Sequence, residues 1–203
     1  MTPESFSHVP ARQLDRTYFA RDAVTVAREL VGAVLLVDGV GGVIVETEAY
    51  ARHDAASHSF AGATSRNEAM FGPPGHAYVY RSYGIHWCLN FVCEPGSAVL
   101  VRALEPWRGV DVMRLRRGAR EDSLLCAGPG RLCQALGITM AQNGAPLDRT
   151  PFSLSGSDGT RPVAAGKRIG ITRAVDLPWR FGEPGSRFLS RPLRTPGEER
   201  QVD

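Results

Sequence analysis

The residues that most constrain this chain are VIVETEAYARHDAASHSF, positions 43–60. They begin as an apolar strand and then set two glutamates and a tyrosine into it. A strand alternates its faces with a period of two. Val43, Val45, Thr47 and Ala49 are therefore expected on one face, and Ile44, Glu46, Glu48 and Tyr50 on the other. The first face reads as core. The second becomes steadily more polar and ends in a carboxylate beside an aromatic ring, with His53, Asp54 and His58 following. A solvated face is the plain alternative, but such a face carries Lys, Thr or Arg more often than Glu-x-Tyr.

A chain of 203 residues suits one domain with a substantial core. Cys88, Cys93, Cys126 and Cys133 follow no signal-like segment, so they are expected as reduced, cytosolic thiols. No apolar run reaches the length of a bilayer span. Lys167 is the only lysine among 24 basic residues. Any mechanism that needs a lysine amine has that one candidate.

The basic residues are unevenly spread. WRGVDVMRLRRGAR, 107–120, holds five arginines against Asp111, and 161–200 holds nine basic residues against four acids. Two local basic surfaces on a nearly neutral chain point to a polyanion partner. Arginines also solvate ordinary helices, and charge alone does not separate the two readings.

Residues 1–15 are expected as a flexible arm, 16–190 as a single domain and 191–203 as a flexible tail. Asp22 can cap a helix over AVTVAREL. Residues 33–37 and 42–50 read as strands of a hairpin joined by DGVGG. Residues 51–75 form a long connection containing His53, His58 and Arg66, of the kind that is functional or disordered. Two strands flank Tyr83-Gly84, another covers 98–106, and 109–120 has helical character. Gly128-Pro129-Gly130 opens the helix RLCQAL, leaving backbone amides free for a phosphate, with Arg131 beside them. IGITRAV, 169–175, is the clearest strand of the remainder. The fold class is mixed α/β (α+β): a curved, mostly antiparallel sheet with helices around it.

Several chemistries compete for these residues. Glu46 and Glu48, about 7 Å apart at i and i+2, suit a glycoside or nucleoside hydrolase. A single general base needs only one of them, and Glu48 is favoured because it lies nearer Tyr50 and the histidine loop. Glu46 is expected to pair with an arginine. Tyr83, beside Gly84 and Arg81 at a turn, is a poor core residue and is well placed to push between bases. The histidines and cysteines have no recognised metal spacing. The serines lack a nucleophile elbow, and no dinucleotide or P-loop fingerprint occurs.

AREL at 27–30, GVIVETEAY at 42–50, His58-Ser59, MFGPPGHAYVYRSYG at 70–84, CLN at 88–90, VLVRALEP at 99–106 and GPGRLCQALGI at 128–138 together carry a family resemblance. The chain resembles the alkyladenine (3-methyladenine) DNA glycosylases of the mammalian type, in a bacterial form, from about Tyr18 to Leu189. The resemblance implies hydrolysis of the N-glycosidic bond of damaged purines in double-stranded DNA, without metal, cofactor or Schiff base. Flipping one nucleotide needs no symmetric partner, so a monomer acting in the cytoplasm on the nucleoid is expected.

By motif, Glu48 matches the general base that activates water, and Arg102 the arginine that positions it. Tyr50, Tyr80 and His58 match the walls around the extruded base, and Tyr83 the intercalating residue. Asn90 matches the asparagine that disfavours the 2-amino group of guanine. Such chemistry requires the nucleotide to leave the stack. Two departures stand out. The loop between Tyr50 and His58 is one residue shorter than in the family, and His86 and Trp87 replace other aromatics in the pocket wall. A binding protein without catalysis and a small-substrate hydrolase using both glutamates remain the alternatives.

Overall fold

The structure, a computed structural model, describes residues 12–193. Among them, eight strands form one sheet in the order β3-β4-β5-β2-β1-β6, with β8 on the far half of β2 and β7 beside β8. Every pairing is antiparallel. The strands are β1 (Val34–Val37), β2 (Val40–Tyr50), β3 (Ala77–Ser82), β4 (His86–Val92), β5 (Ala98–Arg108), β6 (Phe152–Ser155), β7 (Ala164–Gly166) and β8 (Arg180–Gly182). The helices are α1 (Arg16–Phe19), α2 (Ala23–Glu29), α3 (Val110–Arg117) and α4 (Pro129–Leu136). The expected α+β class is the one observed.

The period of two sorts the sheet into two surfaces. Val79, Leu89, Val99, Val101 and Leu104 face the helices and pack with Val26, Leu30, Met113, Leu132 and Leu136 into the main core. The alternate residues Tyr78, Tyr80, Cys88, Asn90, Leu100 and Arg102 line a groove on the other surface. A row of cross-strand neighbours runs Tyr78, Asn90, Leu100, Glu48, Arg180. Asp22 caps α2 by accepting from the Thr25 amide, as its sequence position suggests.

Besides a register shift between Gly41 and Gly42, strict alternation fails between Ile44 and Thr47, and the site depends on that second place. Ile44 lies opposite Leu104 and Glu46 opposite Ala103, so Val45 is an extra residue on β2. Thr47 then lies opposite Val101, which makes Arg102 the extra residue on β5. These paired bulges send Ile44 into the main core instead of the face of Glu46, and they bring Arg102 toward both glutamates. Thr47 stays on the core side, where its hydroxyl donates to the Ala27 carbonyl at 2.7 Å.

Other expectations need correction. DGVGG is not all turn: only Asp38 and Gly39 turn, with φ of 48° and 78°, and β2 begins at Val40. Gly41 and Gly42 are strand residues because the neighbouring strands approach closely. A Cβ there would lie 1.9 Å from the carbonyl oxygen of Leu35 or of Glu105. IGITRAV is not a strand. Gly170 and Ala174 have left-handed φ of 76° and 49°, which breaks an extended run, and the segment consists of bends and turns.

At the chain ends, Leu14 is buried in the core and Asp15 caps α1, so residues 12–15 are held to the body and do not form part of an arm. Arg180 donates to the carbonyls of Arg191 and Pro192, which likewise fixes the start of the expected tail. The rest of both expected flexible segments lies outside the described residues.

Candidate active site

β2 delivers Glu46, Glu48 and Tyr50 to the groove side. Glu46 and Glu48 are fully buried, yet their surroundings differ. Glu46 accepts from Arg102 Nε at 2.9 Å, Arg180 Nε at 2.8 Å, the Ser190 amide at 2.6 Å and the Ser190 hydroxyl at 2.8 Å. Burial would raise its pKa, but the Arg102 and Arg180 guanidiniums together with the Ser190 hydrogen bonds outweigh it and hold the carboxyl below its ordinary value. Three of these bonds fall on Oε1 and one on Oε2, so Glu46 is tied to two guanidiniums and to Ser190 from across the sheet.

Glu48 accepts three hydrogen bonds. Tyr50 Oη and Arg102 Nη1 donate to Oε2 at 2.9 and 3.2 Å, and the Ile169 amide donates to Oε1 at 2.7 Å. One acceptor position remains, on Oε1. Burial raises the Glu48 pKa, and the neighbouring Glu46 charge pushes the same way. Arg102, the Ile169 amide and Tyr50 oppose the shift without cancelling it. Two carboxyls two residues apart are thus driven in opposite directions, the usual sign of a divided acid–base role. Glu46, fully buried and held by two guanidiniums and Ser190, is placed as an ion-pair partner, which favours Glu48 as the single reacting carboxylate over a two-glutamate scheme.

Glu48 lies just beneath the groove, and the three groups bonded to it, from Tyr50, Arg102 and Ile169, line the groove wall. The groove has a volume of about 1370 Å³. Its aromatic wall is built by Tyr50, His58, Tyr78 and Tyr80. Tyr78 and Tyr80 stack with centroids 5.5 Å apart, and the His58 ring meets Tyr80 edge-on at 4.5 Å. His58 Nδ1 is 3.0 Å from the Tyr78 hydroxyl. Burial raises the Tyr50 phenol pKa, so it stays a hydroxyl donor toward Glu48. Asn90 donates to the Tyr78 carbonyl at 3.0 Å and keeps its amide oxygen for the groove. His53 is elsewhere, against Trp179, so the two histidines of the loop part company.

At one end of the groove stands the β3–β4 turn. Tyr83 and Gly84 have φ of 50° and 69°, and the Ile85 amide donates to the Ser82 carbonyl at 2.9 Å, the pattern of a type I′ turn. Tyr83 is 86% exposed and Ile85 75% exposed. His86 also lines the groove, and its ring packs on Gly130: a Cβ there would lie 2.7 Å from it. Of the GPGR turn, Pro129 lines the groove, whereas Gly128, Gly130 and Arg131 do not.

The groove's positive residues are Arg66, Arg81, Arg102, Arg173 and Arg191. None comes from the 107–120 cluster that the charge pattern singled out. There, Arg114 pairs with Asp111 and Asp122, Arg116 donates to the Ala135 carbonyl, and Arg117 donates to the Leu125 carbonyl and to Gln134. Those arginines bind α3 to its surroundings.

Tyr78 follows from sharing a strand face with Tyr80, and Asp54 was named only beside the histidines of its loop. Arg180, Ser190 and Arg168 escaped the sequence reading because each acts on a residue more than 100 positions away, and Asn67 escaped it because it acts on the backbone of an irregular loop. Asn67 orders the His58 loop, donating to the carbonyls of His58 and Gly62 and accepting from Thr64. Among the described residues no three of His, Cys, Asp or Glu converge as a metal site, and no helix is long and apolar enough to cross a membrane.

Comparison with known proteins bears on this arrangement. The family model described as methylpurine-DNA glycosylase matches residues 17–187. A protein of Rhizobium meliloti named "Putative 3-methyladenine DNA glycosylase" is 63% identical over 177 residues, covering 87% of this chain and 96% of its own. Proteins of the same name from Nitrosospira multiformis and Bradyrhizobium diazoefficiens are 61% and 55% identical, covering 88% and 95% of this chain and 94% and 99% of their own. With its carboxylate pair, its aromatic groove and a match over most of its length, the chain belongs to the methylpurine-DNA glycosylase family.

Proposed function

We propose that the protein is a monofunctional DNA glycosylase of base excision repair that hydrolyses the N-glycosidic bond of damaged purines. The substrates are 3-methyladenine, 7-methylguanine, hypoxanthine and ethenoadenine in double-stranded DNA. The observation that carries the reading is the placement of the pair: Glu46 tied by two guanidiniums and Ser190, and Glu48 beneath the aromatic groove with an open acceptor position on Oε1.

The chemistry follows from that geometry. A base in the duplex hides its glycosidic carbon, so the nucleotide rotates out at a cost of a few kcal/mol. Tyr83 takes the vacated place in the stack, and the extruded purine enters the slot of Tyr50, His58 and Tyr80. Asn90 disfavours a guanine 2-amino group. Water held by Glu48 gives its proton to the carboxylate while its oxygen bonds to C1′, and the C1′–N bond breaks with its electron pair leaving on the purine. Negative charge beside the sugar stabilises the developing oxocarbenium character. Arg102 orients the carboxylate, and the groove arginines and the amides of Gly130 and Arg131 meet phosphates, while the Gly128 amide donates to the Cys126 carbonyl at 3.1 Å and shapes the turn.

No cofactor or metal enters this scheme, and one nucleotide in one groove calls for a single chain acting on the nucleoid. Lys167 pairs with Asp176 at 3.3 Å at the surface and is not a groove residue, which supports hydrolysis without an imine.

The test is single-turnover excision from duplexes carrying one hypoxanthine, ethenoadenine or 7-methylguanine, for the wild type and Glu48→Gln. Excision by the wild type, lost in the variant with binding retained, is the expected result. Binding without excision of any lesion by the wild type would leave a recognition protein instead.

A further inference from the structure

Arg168 is buried, has no part in the scheme above, and is unusually well connected. Its side chain is 0% exposed and forms a two-pronged ion pair with the buried Asp54. It also donates to the Ala49 carbonyl at 2.9 Å and the Ala174 carbonyl at 3.3 Å. Its guanidinium carbon lies 4.7 Å from the Tyr50 ring centroid and 5.3 Å from that of Trp179. One side chain therefore joins four segments: the end of β2, the loop leading to His58, the bends of 169–175, and the approach to β8.

This arrangement is an inefficient way to stabilise a fold. Burying a charge pair carries a desolvation penalty for each ion, and apolar residues of similar volume often serve stability as well or better. Arg168 Nε, moreover, is a buried side-chain polar atom without a hydrogen-bond partner among the described residues. What the guanidinium provides is a fixed geometry, and the next residue uses it. The Ile169 amide donates to Glu48 Oε1, the oxygen that retains an open acceptor position. Ile169, Gly170, Ile171, Thr172 and Arg173 then line the groove together with the aromatics.

We infer that Arg168, locked by Asp54, is a positioning residue for the Glu48 base, acting through the Ile169 amide and fixing the groove wall that follows it. Arg168 does not line the groove, so it has no direct contact with DNA to lose. The inference rests on the glycosylase reading above and adds a residue to it.

Lysine at 168 keeps the charge but cannot reach two carboxylate oxygens and two carbonyls together. Arg168→Lys is therefore expected to slow single-turnover excision by about 10–100-fold, the scale of a small misplacement at a reacting centre. Binding to the same lesion duplex should change less than about threefold on this account. A second readout separates positioning from a loosened fold. The Ile169 amide lowers the Glu48 pKa against burial and Glu46, alongside Arg102 and Tyr50. Weakening it should move the acid limb of the rate profile to higher pH. Asp54→Asn, which leaves Arg168 in place and removes its lock, should show both effects and carries the test if Arg168→Lys does not fold. Wild-type-like excision with an unmoved acid limb in a folded variant overturns the inference and leaves the glycosylase reading standing. Absence of excision by the wild type overturns the reading itself.

Discussion

Replacing Glu46 with glutamine keeps the volume and removes one charge from the centre of the site. The carboxylate takes four hydrogen bonds, two of them from guanidiniums. Glutamine supplies one oxygen, and its amide nitrogen meets an N–H donor whichever way the group is turned. Arg180 loses its carboxylate partner in a buried place, while Arg102 keeps Glu48. Removing one member of a buried charge pair costs about 3–5 kcal/mol, a large share of the ~5–15 kcal/mol that holds a typical domain. At roughly 2–4 °C per kcal/mol for this chain length, the melting temperature falls by about 6–20 °C.

Urea unfolding at neutral pH, with m compared between the two proteins, measures the loss. Its pH dependence has a definite sign. The Glu46 pKa is lowered in the fold, so its contribution is fully present above the unfolded value of about 4.3. It is lost as pH falls through the folded value. The gap between wild type and variant should close in acid. Activity should respond as well: without the Glu46 charge, and with more of Arg102 to itself, Glu48 has a lower pKa, and the acid limb of excision moves down. A loss under about 1 kcal/mol, the scale of an exposed pair, or a gap that persists in acid, would refute the account of Glu46.

In the wild type, the Glu48 pKa is raised from 4.5, and the base must be ionised, so the excision rate should fall with decreasing pH at a point above that value; a limb at or below it would remove Glu48 as the base. Tyr83→Gly deletes an exposed ring from a left-handed position. Stability to urea should hold within about 1 kcal/mol or improve, while excision from duplex DNA falls by roughly the 1–3 kcal/mol of a base stack; a destabilised fold would mean that the ring packs on the body. Gly42→Ala places a Cβ 1.9 Å from the Glu105 carbonyl oxygen, and the shift of β2 against β5 should cost about 1–3 kcal/mol on unfolding; an unchanged midpoint would contradict the close approach.

How far the fold was legible depended on the range of the interactions that decide each element. The strand GVIVETEAY, the helix AVTVAREL and the turn at Tyr83-Gly84 follow from local period, cap and turn chemistry. The bulges at Val45 and Arg102 do not, since register is a property of two strands, and their effect was to send Ile44 to the core. IGITRAV has strand composition, but its backbone is bent at Gly170 and Ala174 and the Ile169 amide goes to a side chain on β2. The arginines of α3 looked like a nucleic-acid surface because their partners, including Asp122, Gln134 and Ala135, lie 8 to 19 residues away. Glu48, Tyr50, His58, Tyr80 and Arg102 do meet in one place. The residues that support them, Arg180, Ser190, Asp54 and Arg168, come from segments whose local composition says nothing of a buried carboxylate.

The long separation between Glu46 and Ser190, 144 residues, bears on how the protein is made. A ribosome finishes the central strand of the sheet long before it reaches the segments that neutralise that strand's carboxylate. Until Arg180 and Ser190 have left the exit tunnel, Glu46 lacks three of its four hydrogen bonds and β2 lacks β8 along its far half. A nascent chain that has not yet reached Arg180 therefore carries Glu48 and Tyr83 without the charge set that holds Glu46.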